Sequence, residues 1–243
     1  MKRNIKLVLE YDGTDFVGWQ RQPNGRSVQQ VIEESILQLT QEKVSLVGAG
    51  RTDSGVHARG QVANFFTEAN LSTNDFYRAL NGILPEDVVI HSVEEVDERF
   101  SARYSAQARE YCYVIMQKPT AIERRFCWHV GYHLNFSLLN ETAQLILGEH
   151  DFQSFSKTDT EVQHFRCTVF ESNWERKDAK LVFTVRANRF LYGMVRALVG
   201  TMVNVARGYT SFDEFKNILA SKDRTKAGQS APPQGLFLER VIY

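Results

Sequence analysis

The alternation of apolar and polar positions changes period along the chain, and each change marks an element. Residues 5–11 place Ile5, Leu7, Leu9 and Tyr11 on one side, which predicts a strand. Ser27 and Gln30 have the spacing of a capping box, and behind them Val28, Val31, Ile32 and Leu39 keep helical spacing to about residue 41. Residues 44–47 predict a second strand, ending in Gly48 and Gly50. Residues 61–67, rich in Val and Phe, predict a third. Residues 74–84 predict a helix stopped by Pro85, and residues 88–96 a fourth strand. The order β-α-β-β-α-β is the ferredoxin-like split pattern.

The second half repeats that order more loosely. Residues 111–116 predict a strand, and residues 138–147 a helix with Gly148 as its C-cap. Residues 169–174 and 181–187 predict an antiparallel pair, and residues 190–206 a long helix. Ser211 and Glu214 form a capping box that opens a further helix, and residues 236–243 predict a closing strand. No sequence repeat accompanies the repeated order. The expected fold is α+β: two ferredoxin-like halves, residues 1–103 and 104–243, forming a largely antiparallel mixed sheet flanked by helices. The active-site cleft is expected between the halves.

Composition narrows the class. With 243 residues, 43% hydrophobic and 24% charged, the chain can bury a sizeable core and is not of the disordered kind. No run approaches the roughly 18 apolar residues of a membrane span, and Lys6, Glu10 and Asp12 break the core of any signal peptide. Three widely spaced cysteines, Cys112, Cys127 and Cys167, suit a reducing compartment, so a cytoplasmic protein with no membrane partner is expected. Lys plus Arg equals Asp plus Glu at 29 each, so global charge says nothing about a partner. Its distribution is uneven: residues 85–98 carry six acids and no Lys or Arg, whereas residues 176–209 carry seven basic residues and one acid, Asp178. The plain reading is two solvated faces; the functional reading is a phosphate-binding surface, for which arginine forks are suited.

The most unusual stretch runs from Gly48 to Val62. It places four glycines between two predicted strands and offers Arg51, Asp53, Ser54 and His57 together. A tight hairpin needs one or two glycines; more suggest a close backbone approach. Composition alone divides evenly between an elaborate turn and a site.

Gly50-Arg51-Thr52-Asp53-Ser54-Gly55-Val56-His57-Ala58 resembles the signature of the tRNA pseudouridine synthase A (TruA) family. Further matches follow in order: Tyr11-Asp12-Gly13-Thr14, Leu84-Pro85, Phe100-Ser101-Ala102-Arg103, Arg109-Glu110-Tyr111, His150-Asp151-Phe152, Phe190-Leu191 with Met194-Val195-Arg196, and Gln234-Gly235-Leu236. They span nearly the whole chain. The resemblance implies a cofactor-free isomerase that converts uridine to pseudouridine at positions 38, 39 and 40 of the tRNA anticodon stem-loop. It also implies a homodimer. The product is an isomer of the substrate, so no metal or other cofactor is expected, and the chain carries no P-loop or dinucleotide fingerprint.

The resemblance makes Asp53 the catalytic aspartate. Its carboxylate can attack or electrostatically stabilise C1′, or take a ribose proton, and the sequence leaves all three routes open; the plain alternative is a turn-capping aspartate. Arg196 is implied as its partner, against a phosphate-binding or solvated helix arginine. Tyr111 is implied to stack on the flipped uracil and to assist removal of the C5 proton, with Tyr113 as a core tyrosine. Arg51 is implied to help flip the base, and by its chemistry can equally hold phosphate. Leu191 is a candidate wall of the uracil pocket, with a core role as the plainer reading. Arg59, Arg186 and Arg189 are candidates for RNA backbone contacts. Two departures stand out: Tyr192-Gly193 occupies positions where the family often carries bulkier or basic residues, and Arg189 precedes Phe190 where a small residue is usual.

Two further classes compete. A catalytically silent tRNA-binding protein on the same fold would keep the basic region and could lose Asp53. A glycoside hydrolase usually needs a second carboxylate, and none lies near Asp53 in sequence. His129 and His133 have i, i+4 spacing but no accompanying glutamate motif, and their neighbours read as strand, which favours a structural role over a metal site.

Overall fold

The alternation in the first strand predicts its packing: Ile5, Leu7 and Leu9 are fully buried in the computed structural model, which describes residues 2–157 and 162–243. Among these residues there are ten strands, paired mostly antiparallel, and five α-helices. The contacts divide the chain into two units, Met1–Gln107 with Phe237–Tyr243, and Ala108–Leu236.

In the first unit the order is β1 (Arg3–Tyr11), α1 (Val28–Thr40), β2 (Val47–Gly48), β3 (His57–Thr67), α2 (Thr73–Ile83) and β4 (Val88–Val96). β1 lies between β3 and β4, antiparallel to both, with Leu7 opposite Ala63 and Val93. The other edge of β3 is divided. β2 pairs antiparallel at Ala63 and Asn64, while β10 (Leu236–Ile242) pairs parallel at His57 and Ala58. α1 buries Val28, Ile32 and Ile36; α2 buries Phe76 and Leu80, with Phe76 edge-on to Phe65.

Local chemistry explains where expectation and structure part. Only Val47 of the expected 44–47 strand is strand. The backbone of Leu46 is instead satisfied by α1 side chains: its N–H donates to Glu33 Oε1 and its carbonyl accepts from Gln29 Nε2. At the start of α1, Ser27 accepts from the Gln30 N–H as expected, but the Gln30 side chain donates to Glu34, so the box is half formed. A complete capping box that the sequence reading missed, Ser72 with Asp75, opens α2.

The second unit holds β5 (Ala108–Met116), β6 (Trp128–His129), α3 (Phe136–Gln144), β7 (Gly148–Asp151), β8 (Arg166–Lys177), β9 (Lys180–Ala187), α4 (Met194–Ala206) and α5 (Phe212–Ser221). Its main strands run β5-β9-β8-β7, all antiparallel, with β6 parallel to β5. Asn135 caps α3 through the Leu138 N–H, so the helix starts and ends earlier than expected. Gly148 is left-handed as a C-cap would be, but it opens β7 opposite Val169. α4 starts at Met194, not at 190, because Gly193 at φ 73° precedes it as a left-handed N-cap. That conformation favours glycine, which accounts physically for the departure at this position. The Ser211–Glu214 box is complete.

α4 is buried on nearly every side, and Gly200 makes this possible. A Cβ there would lie 1.9 Å from the Gln229 carbonyl oxygen. Gly82 in α2 has open space around the same position. Gly200→Ala is therefore expected to destabilise by about 1–3 kcal/mol or more through overpacking, whereas Gly82→Ala is expected to be neutral or to stabilise by up to ~1 kcal/mol. Thermal melts of the two variants check the contrast; equal midpoints would contradict it.

Candidate active site

The segment between β2 and β3 is held by backbone contacts too close for side chains. A Cβ on Gly13 would lie 2.0 Å from the Val56 carbonyl oxygen, and one on Gly18, at φ 109°, 2.6 Å from that of Thr52. Trp19 N–H donates to the Thr52 carbonyl at 3.1 Å, and Gly55 N–H donates to that of Phe16 at 3.3 Å. Gln61 Nε2 donates to the Gly50 carbonyl at 2.9 Å. In the buried interior, Tyr11 Oη and Thr52 Oγ1 share a hydrogen bond of 2.8 Å, and burial pushes the Tyr11 hydroxyl pKa up to about 12. His57 is also buried; its Nδ1 accepts from the Gly13 N–H at 3.0 Å and its ring stacks on Phe237.

Asp53 sits on this fixed segment. Its carbonyl accepts from the Val56 N–H, closing a turn, and the residue is partly exposed although Thr52 before it is buried. Arg51 is exposed two residues earlier. Arg59, exposed on β3, is already engaged: its guanidinium lies 4.1 Å from the Phe237 ring centroid and pairs with Glu239. The segment can therefore present a carboxylate and a guanidinium from one rigid loop.

The other candidates lie in the second unit. Tyr111, on β5 opposite Val185, is nearly buried and meets Phe190 edge-on at 5.0 Å. Leu191 follows Phe190 in a turn whose Leu191 carbonyl accepts from Met194 N–H, and its side chain is buried. Arg196, in the first turn of α4, donates through Nε to the Ala231 carbonyl at 2.8 Å and accepts the Ala231 N–H in return. Burial raises the Tyr113 hydroxyl pKa well above its ordinary value, and the Arg196 charge opposes that rise. Tyr113 donates to the Pro232 carbonyl, which makes it the core residue of the pair on β5. Arg186 pairs with Glu171 at 3.4 Å. Arg189 lies close enough to Cys167 for its charge to oppose the burial that lifts that thiol to about 11.

The structure thus brings Arg51, Asp53 and Arg59 into the first unit and Tyr111, Arg186, Arg189, Leu191 and Arg196 into the second. The sequence reading missed the supports: Tyr11 with Thr52, and Gly13 and Gly18 against the loop. The sequence marks Tyr11 by the alternation of the first strand and Tyr11-Asp12-Gly13-Thr14 by the family resemblance, but neither says that they meet the loop. No three His, Cys, Asp or Glu side chains among the described residues form a group that could hold a metal ion.

A family model described as tRNA pseudouridine synthase matches residues 7–105 and 142–243. A protein named tRNA pseudouridine synthase A from Thermoanaerobacter sp. (strain X514) is 43% identical over 245 residues, covering 99% of this chain and 100% of that protein. A tRNA pseudouridine synthase A 2 from Clostridium perfringens (strain 13 / Type A) and a tRNA pseudouridine synthase A from Acetivibrio thermocellus are each 44% identical over 243 residues, with the same coverage. With both units matched and relatives aligned over their full length, the chain belongs to the tRNA pseudouridine synthase family.

Proposed function

We propose that this isomerase acts on uridines 38, 39 and 40 in the anticodon stem-loop of tRNA, with Asp53 as its catalytic residue. The reaction breaks the C1′–N1 bond, turns the uracil, and joins C5 to C1′; the C5 hydrogen leaves as a proton and N1, left with the bonding pair, takes one up, so the product is an isomer. Positive character develops at C1′ as N1 departs, and a fixed carboxylate answers it without reorganising. The observation that carries this reading is the partly exposed Asp53 on a loop whose backbone is pinned at Thr52 and Gly55.

A base inside a stem must leave its stack before it can react. Arg51, exposed beside Asp53, is suited to take up the space or the phosphate of the flipped nucleotide. Tyr111 supplies a ring for the uracil and a hydroxyl for the C5 proton, with Phe190 fixing the ring from its edge. Leu191 closes the pocket wall, and Arg196 works with Asp53 as a functional pair. Arg59, Arg186 and Arg189 contact the RNA backbone. The proposal extends to a homodimer acting in the cytoplasm; all three cysteines are free, and no helix is long and apolar enough to cross a membrane among the described residues.

An unmodified tRNA transcript with uridine at all three positions is expected to gain pseudouridine there and nowhere else. Carbodiimide-dependent primer-extension stops read this out. Stops outside the anticodon arm would overturn the assignment of position.

Tyr111→Phe separates ring from hydroxyl. It is expected to bind tRNA like the wild type while turnover falls by about 10²-fold or more, the range of a lost general acid–base group. Unchanged turnover would reduce Tyr111 to a stacking surface.

A further inference from the structure

The turn that carries Leu191 continues outward to a side chain with no part in the scheme above. Phe190 braces Tyr111 and Leu191 is buried, but Tyr192, next in the chain, is 46% exposed. Left-handed Gly193 and the start of α4 fix how the backbone leaves this turn. A second segment meets it. The single 3₁₀ turn Gln153–Phe155 is anchored on α5, where Ser154 Oγ donates to the Ile218 carbonyl and Phe155 packs on Phe215. Two residues later, Lys157 N–H donates to the Tyr192 carbonyl at 2.9 Å, and Lys157 Nζ lies 4.6 Å from the Tyr192 ring centroid. Two anchored backbones thus place an exposed ammonium over one face of an exposed aromatic ring, two residues along the chain from Phe190.

That pairing has a chemistry. An ammonium is a point donor to phosphate oxygens, and an aromatic ring offers a face on which any base can stack. A strand of nucleic acid presents both groups once per nucleotide. A carboxylate ligand would use the ammonium and leave the ring idle, and an apolar partner would leave the ammonium in a poor environment.

We propose that Lys157 and Tyr192 form a subsite for a nucleotide of the tRNA strand neighbouring the flipped uridine, the ammonium on its phosphate and the ring face that Lys157 does not cover against its base. The proposal rests on the functional reading above and adds a position at which the RNA is gripped outside the reacting base. The subsite acts in binding and not in the chemical step, so its loss raises KM and leaves kcat in place. It also gives the Tyr192-Gly193 pair a shared role: the glycine sets the turn and the tyrosine uses it.

Salt dependence separates this subsite from a structural latch. Each phosphate contact adds a slope of roughly 0.7–0.9 to the fall of log binding with log salt. Steady-state turnover of tRNA would be measured at several salt concentrations for the full-length wild type, Lys157→Met, Tyr192→Leu and Tyr192→Phe. Lys157→Met is expected to flatten the slope of log kcat/KM by about 0.7–0.9. Tyr192→Leu is expected to raise KM about tenfold with an unchanged slope, and Tyr192→Phe to match the wild type, since stacking needs only the ring. A raised KM with the wild-type slope in Lys157→Met would make the pair a latch and overturn the phosphate contact. A fall in kcat in Tyr192→Leu at constant KM would overturn the stacking contact. A wild type that makes no pseudouridine in the transcript would remove the functional reading itself, and the subsite with it.

Discussion

Two stretches of main chain, the segment after β1 and the loop before β3, approach so closely that no side chain fits between them. At Gly13 and Gly18 the space a Cβ would need is filled by the carbonyl groups of Val56 and Thr52. The placement of Thr52 and Asp53 follows from this contact. Where β1 ends, the pairing with β3 shifts register: Glu10 opposes both Arg59 and Gly60, so the extra residue and the bend belong to β3 as it leaves the loop. Tyr11, the last residue of β1, buries its hydroxyl against Thr52, and His57 accepts from the Gly13 N–H. Thr52 is thereby fixed from the side chain and the main chain at once. Asp53 inherits that rigidity while remaining partly exposed, which is what a group that must meet a developing charge requires.

Much of this is legible in the sequence, and the exceptions have physical causes. The strands of both units announce themselves by alternation because one face is buried, as at Ile5, Leu7 and Leu9. Period starts β2 three residues too early, since Gln29 and Glu33 of α1 take the backbone bonds of Leu46. The helical spacing from 190 onward runs through the turn before α4, because Phe190 and Leu191 are buried by the turn itself and only Gly193 marks the true start. At the candidate site, Asp53 is singled out because its neighbours form a dense motif. The glycines that hold it lie about forty residues away, and nothing local says what they touch.

Charge is the other case where sequence and structure complement each other. The acidic run in β4 is answered by its neighbour in the sheet: Lys6 pairs with Glu94 and Arg3 with Glu95, while Arg26 pairs with Asp87. The basic run is answered in the same way, Lys177 by Glu175, Lys180 by Glu123 and Arg186 by Glu171. Part of the overall neutrality is thus local, cation beside carboxylate. Pairs of this exposed kind are worth about 0–1 kcal/mol, so a phosphate can displace a carboxylate at small cost. RNA recognition on such a surface depends on where cations stand and what rings they stand beside more than on net charge.

We propose that a single carboxylate, Asp53 on the loop before β3, carries the isomerisation. Forming pseudouridine must free the C5 hydrogen, so release of tritium from tRNA labelled at uridine C5 reports the reaction directly. Wild type is expected to release label, and Asp53→Asn, which keeps the shape and removes the charge, is expected to bind the tRNA and release none above background. Release by Asp53→Asn at the wild-type rate would contradict the account.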